Sequence, residues 1–292
     1  MKKNVIVTGA DRNYFPFLRN LIKSIHRTGT IKECDLCILK VDKDNQYLDE
    51  IVNLVTSFKQ ADFSMRLSFS EKKNWFKLLT ERPFIKDYFP GYENYIWLDA
   101  DTEILNIDGI KNLIAGTIYK DLSIVPEINE AYVFKNKKFG LKKIFSSYYK
   151  ISGWSFKNYN KYLKKGLGED LFFKPLFNNG VFCLKAQSQI WEVWKKNYQY
   201  ALDNAKTDYG IKTDQLSLNK IIYDNFDLIS ILDATNNWII DKSEKVIMSN
   251  GILYTPSLPM KKINIIHYTN KDKNDYFEYL ENNKICKKKI II

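Results

Sequence analysis

The sequence contains, at Tyr95–Leu105, the stretch YIWLDADTEIL, in which two carboxylates stand between two apolar runs. Tyr95–Leu98 has the aromatic and β-branched content of a buried strand, and extended character resumes at Glu103–Ile107. Because Asp99 and Asp101 lie between such runs, burying their charges is costly unless a cation compensates them. Hard divalent metal ions prefer carboxylate oxygens, and α/β proteins bind ligands at the carboxyl ends of parallel strands. The stretch therefore predicts a metal site at the end of a strand.

An Asp-x-Asp pair by itself is a weak signal, because a chain of this kind contains on the order of one by chance. The sequence carries its own control in Asp42-Lys43-Asp44, which also follows a predicted strand. After Asp44 the chain turns polar, so these carboxylates can stay in water or cap the next helix. The apolar surroundings single out Asp99 and Asp101, although a role in capping a turn or helix stays open for them.

The first 125 residues alternate between strand-like and helix-like patterns, which predicts an α/β fold with a mostly parallel sheet flanked by helices. The predicted strands are Asn4–Thr8, Asp35–Val41, Tyr95–Leu98 and Leu122–Pro126, with extended character again at Glu103–Ile107. The predicted helices are Phe15–Thr28, Leu48–Phe58, Trp75–Arg82 and Ile110–Ala115.

The second half is less regular. Residues 127–170 are aromatic, basic and loop-like, which suits an irregular insertion or a lid. Later elements are the strands Phe177–Lys185 and Ile263–His267 and the helices Ile190–Ala205 and Thr213–Asp224, followed by a polar, basic tail. With no repeat or linker, we expect a single domain over residues 1–292, with halves at 1–125 and 126–267 and the tail at 268–292.

The chain has 292 residues and a net charge of +11, with 45% hydrophobic and 15% aromatic residues, which indicates a globular protein. The positive charge suits nucleic acid, an anionic membrane or a phosphorylated small molecule, and a lysine-rich genome explains it equally well. No nucleic-acid-binding signature accompanies the lysines, so we expect no nucleic-acid partner.

The cysteines and the termini indicate the compartment. The C-x-x-C at Cys34 and Cys37 has no second pair nearby, so we expect core cysteines and a reducing environment. Because the sequence shows neither a signal peptide nor an apolar run of about 18 residues, we expect a cytoplasmic protein. Lys287–Lys289 leave open a peripheral contact with the anionic inner face of a membrane.

Six blocks fall in an order that resembles the family 8 glycosyltransferases, which include bacterial lipopolysaccharide galactosyl- and glucosyltransferases and glycogenin. The blocks are VIVTGADRNY (Val5–Tyr14), WFKL (Trp75–Leu78), LDAD (Leu98–Asp101), FNNGVF (Phe177–Phe182), DQLSLN (Asp214–Asn219) and HYTNKDK (His267–Lys273). The resemblance implies the GT-A fold, a UDP-sugar donor, Mn²⁺ (or Mg²⁺) and retention of anomeric configuration. For such an enzyme we expect the aromatic segment 127–170 to face the acceptor.

At the nucleotide end, the resemblance implies that five residues surround the base and ribose: Thr8, Ala10, Asp11, Asn13 and Tyr14. Asp11 is equally able to cap the following helix. Lys77 stands where the family has an arginine near the diphosphate, and it lacks the guanidinium fork. Ala100 and Gly180 are expected to contact the donor.

At the sugar end, the resemblance implies the metal ligands Asp99, Asp101 and His267. Asn178 and Asp214 would bind sugar hydroxyls, and Gln215 would lie at the reacting face. Lys273 would reach a phosphate oxygen. The sequence departs from the family pattern at Asn270, which replaces glycine, and lacks the Pro-Trp that follows the lysine. A plain helix start remains an alternative for Asp214.

These features predict a retaining hexosyltransferase that acts on a glycan or glycolipid acceptor in bacterial surface polysaccharide or lipopolysaccharide synthesis. An inverting enzyme of the same fold would need a general base, for which Glu127, Glu169 and Asp170 are candidates. A sugar-phosphate nucleotidyltransferase would need a glycine-rich loop that the first turn lacks. A non-catalytic basic protein that binds nucleic acid or an anionic membrane is the alternative from another class.

Overall fold

The computed structural model describes residues 2–44, 46–68, 73–132, 142–144, 148–150, 154–171, 173–205, 213–269 and 276–290. The α-helices are α1 (Phe15–Arg27), α2 (Phe76–Thr80), α3 (Ile85–Tyr88), α4 (Asp108–Tyr119), α5 (Trp154–Asn158), α6 (Leu167–Leu171), α7 (Ile190–Asp203) and α8 (Asp214–Asp224). The strands of the first half are β1 (Asn4–Ala10), β2 (Cys34–Lys40), β3 (Ser57–Gln60), β4 (Asn94–Leu98), β5 (Thr102–Ile104) and β6 (Leu122–Pro126). Those of the second half are β7 (Lys142–Ile144), β8 (Tyr148–Lys150), β9 (Phe177–Lys185), β10 (Ile229–Ile231), β11 (Trp238–Ile239), β12 (Val246–Ser249), β13 (Ile252–Tyr254), β14 (Ile265–His267), β15 (Tyr276–Glu281) and β16 (Lys284–Lys289).

The central sheet has seven strands in the order β10-β6-β9-β4-β1-β2-β3. β9 runs antiparallel to both of its neighbours, and the other pairings are parallel. The predicted mostly parallel α/β sheet is therefore confirmed. The sheet takes β6 from the first half of the chain and β9 and β10 from the second.

The order of strands creates a crevice beside β1. From β1 the chain moves outward through β2 and β3, and then returns to form β4 on the other side of β1. Connections that leave two adjacent parallel strands in opposite directions keep the space above their carboxyl ends open, and α/β proteins bind ligands there. The segments that follow β1 and β4, beginning at Asp11 and Asp99, meet at this point.

Consecutive apolar residues make the centre of the sheet buried on both faces. Val5 and Val7 of β1 belong to the hydrophobic cluster on one face, and Ile6 belongs to the cluster on the other face together with α1. A strand covered on both faces reads as a continuous apolar run rather than an alternating one. Because β1 is packed on both faces, the position of the turn that follows it is fixed.

Three smaller sheets surround the central one, in the orders β11-β14-β5, β13-β12-β15-β16 and β7-β8. The segment 276–289, for which the sequence predicted only a polar, basic tail, forms a hairpin of β15 and β16 that pairs with β12. The hairpin turns at Asn282 and Asn283, both with positive φ, a conformation that asparagine tolerates. In β15 only Phe277 and Tyr279 alternate with a charged residue, Glu278, so the period-two pattern is too weak to predict these strands.

Two helix predictions in the first half of the chain are corrected. The helix predicted at Leu48–Phe58 is a 3₁₀ helix at Gln46–Leu54 followed by β3, because pairing with the edge of β2 overrides the helical pattern. The helix predicted at Trp75–Arg82 spans only Phe76–Thr80, and a separate 3₁₀ turn that contains Pro83 follows at Arg82–Phe84.

The predicted loop 127–170 contains α5, a π-helical turn at Tyr159–Leu163 and the start of α6. Burial of Tyr159, Tyr162 and Leu163 against α7 and α8 supplies the packing that this segment cannot provide alone. Across the described residues, no helix combines the length and apolar composition needed to cross a membrane.

Candidate functional site

A cavity of about 380 Å³ opens at the crevice between the ends of β1 and β4. The turn after β1 contributes Ala10, Asp11, Asn13 and Tyr14, and the turn after β4 contributes Asp99, Ala100 and Asp101. The third wall comes from the segment 75–82, including Trp75 and Arg82, and from Trp97. Blocks that are distant in sequence thus share one cavity, as the resemblance implied.

His267 reaches this cavity's acidic end through strand register. β14 pairs antiparallel with β5, and His267 stands opposite Thr102. The backbone N–H of Tyr268 donates to the carbonyl of Asp101 at 2.8 Å, which fixes the two strand ends together. The Nε2 of His267 consequently lies 3.3 Å from a carboxylate oxygen of Asp101 and 3.9 Å from one of Asp99.

Asp99, Asp101 and His267 fit a divalent cation. One ligand atom from each lies within 4.8 Å of the others, and ligands around an ion with bonds of about 2.1 Å lie roughly 3–4 Å apart. The carboxylates are 23% and 20% exposed, and the imidazole is 4% exposed. Two carboxylates and one imidazole are donors that suit Mn²⁺ better than Mg²⁺.

Gly180 leaves the space that this group needs. A Cβ atom at this position would lie 2.5 Å from Oδ2 of Asp99 and 2.5 Å from Cε1 of His267. The carbonyl of Gly180 accepts from the backbone N–H of Asp99 at 2.7 Å. The predicted proximity of Gly180 to the site thus has a steric reason.

Arg82 is the main residue of this candidate site that the sequence analysis missed. Its guanidinium is 6% exposed and pairs with Oδ1 of Asp99 and, at 2.5 Å, with Oδ2 of Asp214. Trp97 also donates to Oδ1 of Asp99 at 2.7 Å, so Oδ2 is the oxygen left toward His267. Arginine is rare in this lysine-rich chain, and Arg82 is its last arginine, which was the available signal.

Burial and charge set the protonation of these groups in opposite directions. Burial lowers the pKa of His267, but the carboxylates of Asp101 and Asp99 outweigh it, so the pKa is raised. Burial raises the pKa of Asp214, and Arg82 offsets only part of that shift. Burial alone would lower the pKa of Arg82, whereas Asp99 and Asp214 raise it. The aspartates therefore favour the protonated, positively charged forms of His267 and Arg82.

A cluster of side-chain amides lies next to Asp99, Asp101 and His267, which are called the metal group below. The side-chain N–H₂ of Asn178 donates to Glu127 at 2.9 Å, and that of Gln215 donates to the same oxygen at 3.3 Å. Lys242 pairs with the other oxygen of Glu127. The structure thus brings Asn178 and Gln215 together. Asp214, at the start of α8, instead supports Arg82 and accepts from Asn179 at 2.7 Å.

The residues predicted around the base and ribose divide into two groups. Asn13, Tyr14, Ala10 and Asp11 line the cavity, and Asp11 also caps the following turn by accepting from the N–H of Tyr14 at 3.0 Å. Thr8 is fully buried and is not among the cavity-lining residues; its hydroxyl finds no hydrogen-bond partner among the described residues. The apolar neighbours on β1 and α1 explain why Thr8 lies in the core rather than in the cavity.

The two predicted phosphate-binding lysines have different outcomes. Lys77 is not among the residues that line the cavity; its amino group donates to the carbonyl of Val41 at 3.2 Å and lies 5.6 Å from the ring centroid of Phe63. Arg82, and not Lys77, lines the cavity, because α2 ends at Thr80 and the next turn redirects the chain. Lys273 lies outside the described residues.

No protein-family model matches the sequence, and no curated protein matches it. The structure is nonetheless similar to solved structures of glycosyltransferases. The galactosyltransferase LgtC, solved in complex with donor and acceptor sugar analogs, gives a TM-score of 0.50 at 11% identity, covering 92% of this chain and 87% of that chain. An active-site mutant of LgtC gives 0.51 at 12% identity, with coverage of 91% and 87%.

The bifunctional glycosyltransferase WbbM, in its apo structure, gives a TM-score of 0.54 at 14% identity and 92% coverage of this chain. This chain spans 46% of the WbbM chain, so it corresponds to about half of that protein. At such identities the likenesses establish the fold alone. The expected GT-A fold is confirmed by them.

Proposed function

We propose that the chain is a metal-dependent, retaining glycosyltransferase that moves a hexose from a UDP-sugar to a glycan or glycolipid acceptor. The observation that carries the proposal is the group Asp99, Asp101 and His267, with ligand atoms within 4.8 Å of one another beside a cavity of about 380 Å³. The fold it shares with LgtC, which was solved with donor and acceptor sugar analogs, supports it. The expected setting is bacterial surface polysaccharide or lipopolysaccharide synthesis at the inner face of the membrane.

The geometry suits a nucleotide diphosphate that spans the cavity. Tyr14 and Trp75 offer flat apolar surface for a base, and Asn13 and Asp11 offer polar atoms for a ribose. The diphosphate then meets Asp99, Asp101 and His267. A divalent ion bound there would neutralise the charge that develops on the leaving phosphate.

In the proposed reaction, the bond between C1 of the sugar and the phosphate oxygen breaks, and UDP departs with the bonding electrons. The acceptor hydroxyl forms the new C1–O bond from the same face and gives its proton to the departing phosphate. The residues of the chain act by positioning the two partners and by excluding water. Gln215 is too weak a nucleophile to suggest a covalent intermediate.

Retention is favoured over inversion by the surroundings of the candidate bases. Both oxygens of Glu127 already accept from protein donors: Asn178 and Gln215 donate to one, and Lys242 pairs with the other. Glu169 accepts from Asn160 at 2.8 Å, and neither it nor Asp170 lines the cavity. A general base must reach the proton that it removes.

Calorimetric titration of UDP with and without Mn²⁺ tests the proposal. We expect binding that requires Mn²⁺ and that disappears in Asp101→Ala. Asp44→Asn, from the second Asp-x-Asp pair, is the matched control and should bind as the unaltered chain does. Absence of binding in both conditions would overturn the assignment of the nucleotide.

The stereochemical part is tested separately. With a UDP-hexose that the chain hydrolyses or transfers, NMR spectra recorded early in the reaction give the anomer of the product. The α-anomer from an α-linked donor supports retention, and the β-anomer would replace it with an inverting mechanism.

A further inference from the structure

Asn237 connects the metal group to the amide cluster. It follows the 3₁₀ turn Ala234–Asn236, just before β11, and is buried. Its side-chain oxygen lies 3.0 Å from Nδ1 of His267, and its side-chain nitrogen donates to Oδ1 of Asn178 at 3.1 Å. The sequence analysis did not include this residue among the site residues.

The orientation of each amide follows from a backbone donor. The N–H of Gly180 donates to Asn178 at 2.9 Å, and because a backbone N–H can only donate, the atom of Asn178 that receives it is the oxygen. The neighbouring atom of Asn237, 3.1 Å from that oxygen, must then be its nitrogen. The other side of Asn178 is consistent, since its nitrogen faces the carboxylate of Glu127 at 2.9 Å.

The same logic fixes the proton on His267. With the nitrogen of Asn237 directed to Asn178, its oxygen faces the imidazole at 3.0 Å. An amide oxygen only accepts, so Nδ1 of His267 carries a proton. In the neutral ring Nε2 then has the lone pair, directed at the carboxylate oxygens of Asp101 and Asp99.

We infer that Asn237 is a positioning residue that selects the Nδ1–H tautomer of His267 and aims its Nε2 lone pair at a divalent cation. The inference rests on the proposed function for the identity of that cation. In metal-binding histidines the N–H of the second ring nitrogen commonly donates a hydrogen bond to a carboxylate or carbonyl oxygen. Loss of such a partner lowers metal affinity about 10–100-fold. Here a neutral amide takes this place, and it is itself oriented by Asn178 and Gly180.

The tautomer is directly measurable because the chain has only two histidines. Nε2 of His26 lies 2.8 Å from the carbonyl of Leu54, so His26 must carry its proton on Nε2. The ¹⁵N spectrum of the metal-free protein, recorded at a pH at which both rings are neutral, should therefore show one histidine of each tautomer. Two Nε2–H histidines would overturn the inference without any variant or any enzymatic assay.

Variants test the consequence for the metal. Mn²⁺ affinity, measured by electron paramagnetic resonance without nucleotide, should fall at least about tenfold in Asn237→Ala, together with loss of the single His267 tautomer. Asn237→Asp keeps an acceptor for Nδ1–H but loses the donor to Oδ1 of Asn178. It should restore the tautomer and bind Mn²⁺ more tightly than Asn237→Ala.

The matched control is Asn236→Ala. It removes a buried asparagine whose side-chain oxygen accepts from Asn112 and Asn264, whereas the hydrogen bond to His267 comes from Asn237. Equal losses of affinity in the Asn237→Ala and Asn236→Ala variants would reduce Asn237 to a structural role and overturn the inference. If the unaltered chain bound no Mn²⁺, the metal would drop out of the proposed function, whereas the ¹⁵N spectrum would still decide the tautomer.

Discussion

The two Asp-x-Asp pairs of this chain follow strands of the same sheet but lie in different surroundings. Asp99 and Asp101 follow β4 and meet His267 and Arg82. Asp42, which follows β2, accepts from the N–H of Arg12 at 2.9 Å, from Tyr47 at 3.0 Å and from Asn74 at 3.1 Å.

Asp44, the other member of the second pair, is 63% exposed and lies 3.8 Å from Arg12. The second pair therefore satisfies its carboxylates with local donors and water. The first pair retains carboxylate oxygens that face an imidazole. The comparison teaches that the spacing of two aspartates does not by itself assemble a group of potential metal ligands, and that His267 from a distant strand distinguishes the first pair.

The largest expected effect is a difference in turnover rate between variants of the first and of the second Asp-x-Asp pair. Asp101→Asn should lower the rate of metal-dependent sugar transfer by about 10³-fold, because a lost metal ligand removes several kcal/mol of charge stabilisation. Asp44→Asn should stay within about twofold, as expected for an exposed side chain. Steady-state kinetics at saturating Mn²⁺ measure both, and equal losses would erase the distinction between the pairs.

The next effect compares the stability contributions of two cationic side chains, Arg82 and Lys77. Arg82→Ala leaves the buried Asp214 and the partly buried Asp99 without their ion pair, and should lower the free energy of unfolding by about 3 kcal/mol or more. Lys77→Ala removes one hydrogen bond to a carbonyl and should cost about 1 kcal/mol. Urea denaturation compares the two variants. If the Lys77 variant were as unstable as the Arg82 variant, Arg82 would not be the cation that stabilises the buried carboxylates.

Gly180→Ala tests the packing that only the first pair requires. The added Cβ would displace the side chains of Asp99 and His267, so Mn²⁺ affinity should fall about 100-fold, as when metal ligands lose their orientation. Paramagnetic resonance measures the affinity, and thermal unfolding shows whether the variant is folded. An unchanged affinity in a folded Gly180→Ala protein would mean that the metal does not bind between these residues.

The smallest expected effect is a loss of stability when Asp42 of the second pair is replaced. Asp42→Ala removes the acceptor of three hydrogen bonds that join the segments after β1, β2 and β3. The free energy of unfolding should fall by about 1–2 kcal/mol, as for hydrogen bonds to a partly exposed charged group. Mn²⁺ affinity should not change. A fall in Mn²⁺ affinity without a fall in stability would assign the second pair to the metal site.

The sequence by itself determined the sheet and the acidic centre of the site. Continuous apolar runs at β1 and β4, with polar turns after them, predict parallel strands that are buried on both faces. The apolar residues on both sides of Asp99 and Asp101 distinguish this pair from the second one. These are local signals, because strand propensity and the cost of burying charge depend on residues that are neighbours in the chain.

The tertiary structure decided how distant groups come together at the site. The sequence suggested His267 only through the family resemblance, and it did not indicate Arg82 or Asn237. His267 arrives through the register of β14 on β5, and Arg82 replaces Lys77 because α2 ends earlier than its apolar pattern predicts. Asn237 enters through a chain of hydrogen bonds that begins at the backbone of Gly180. Such contacts depend on strand register and on the direction of a turn, which the order of residues along the chain does not specify until the sheets have packed.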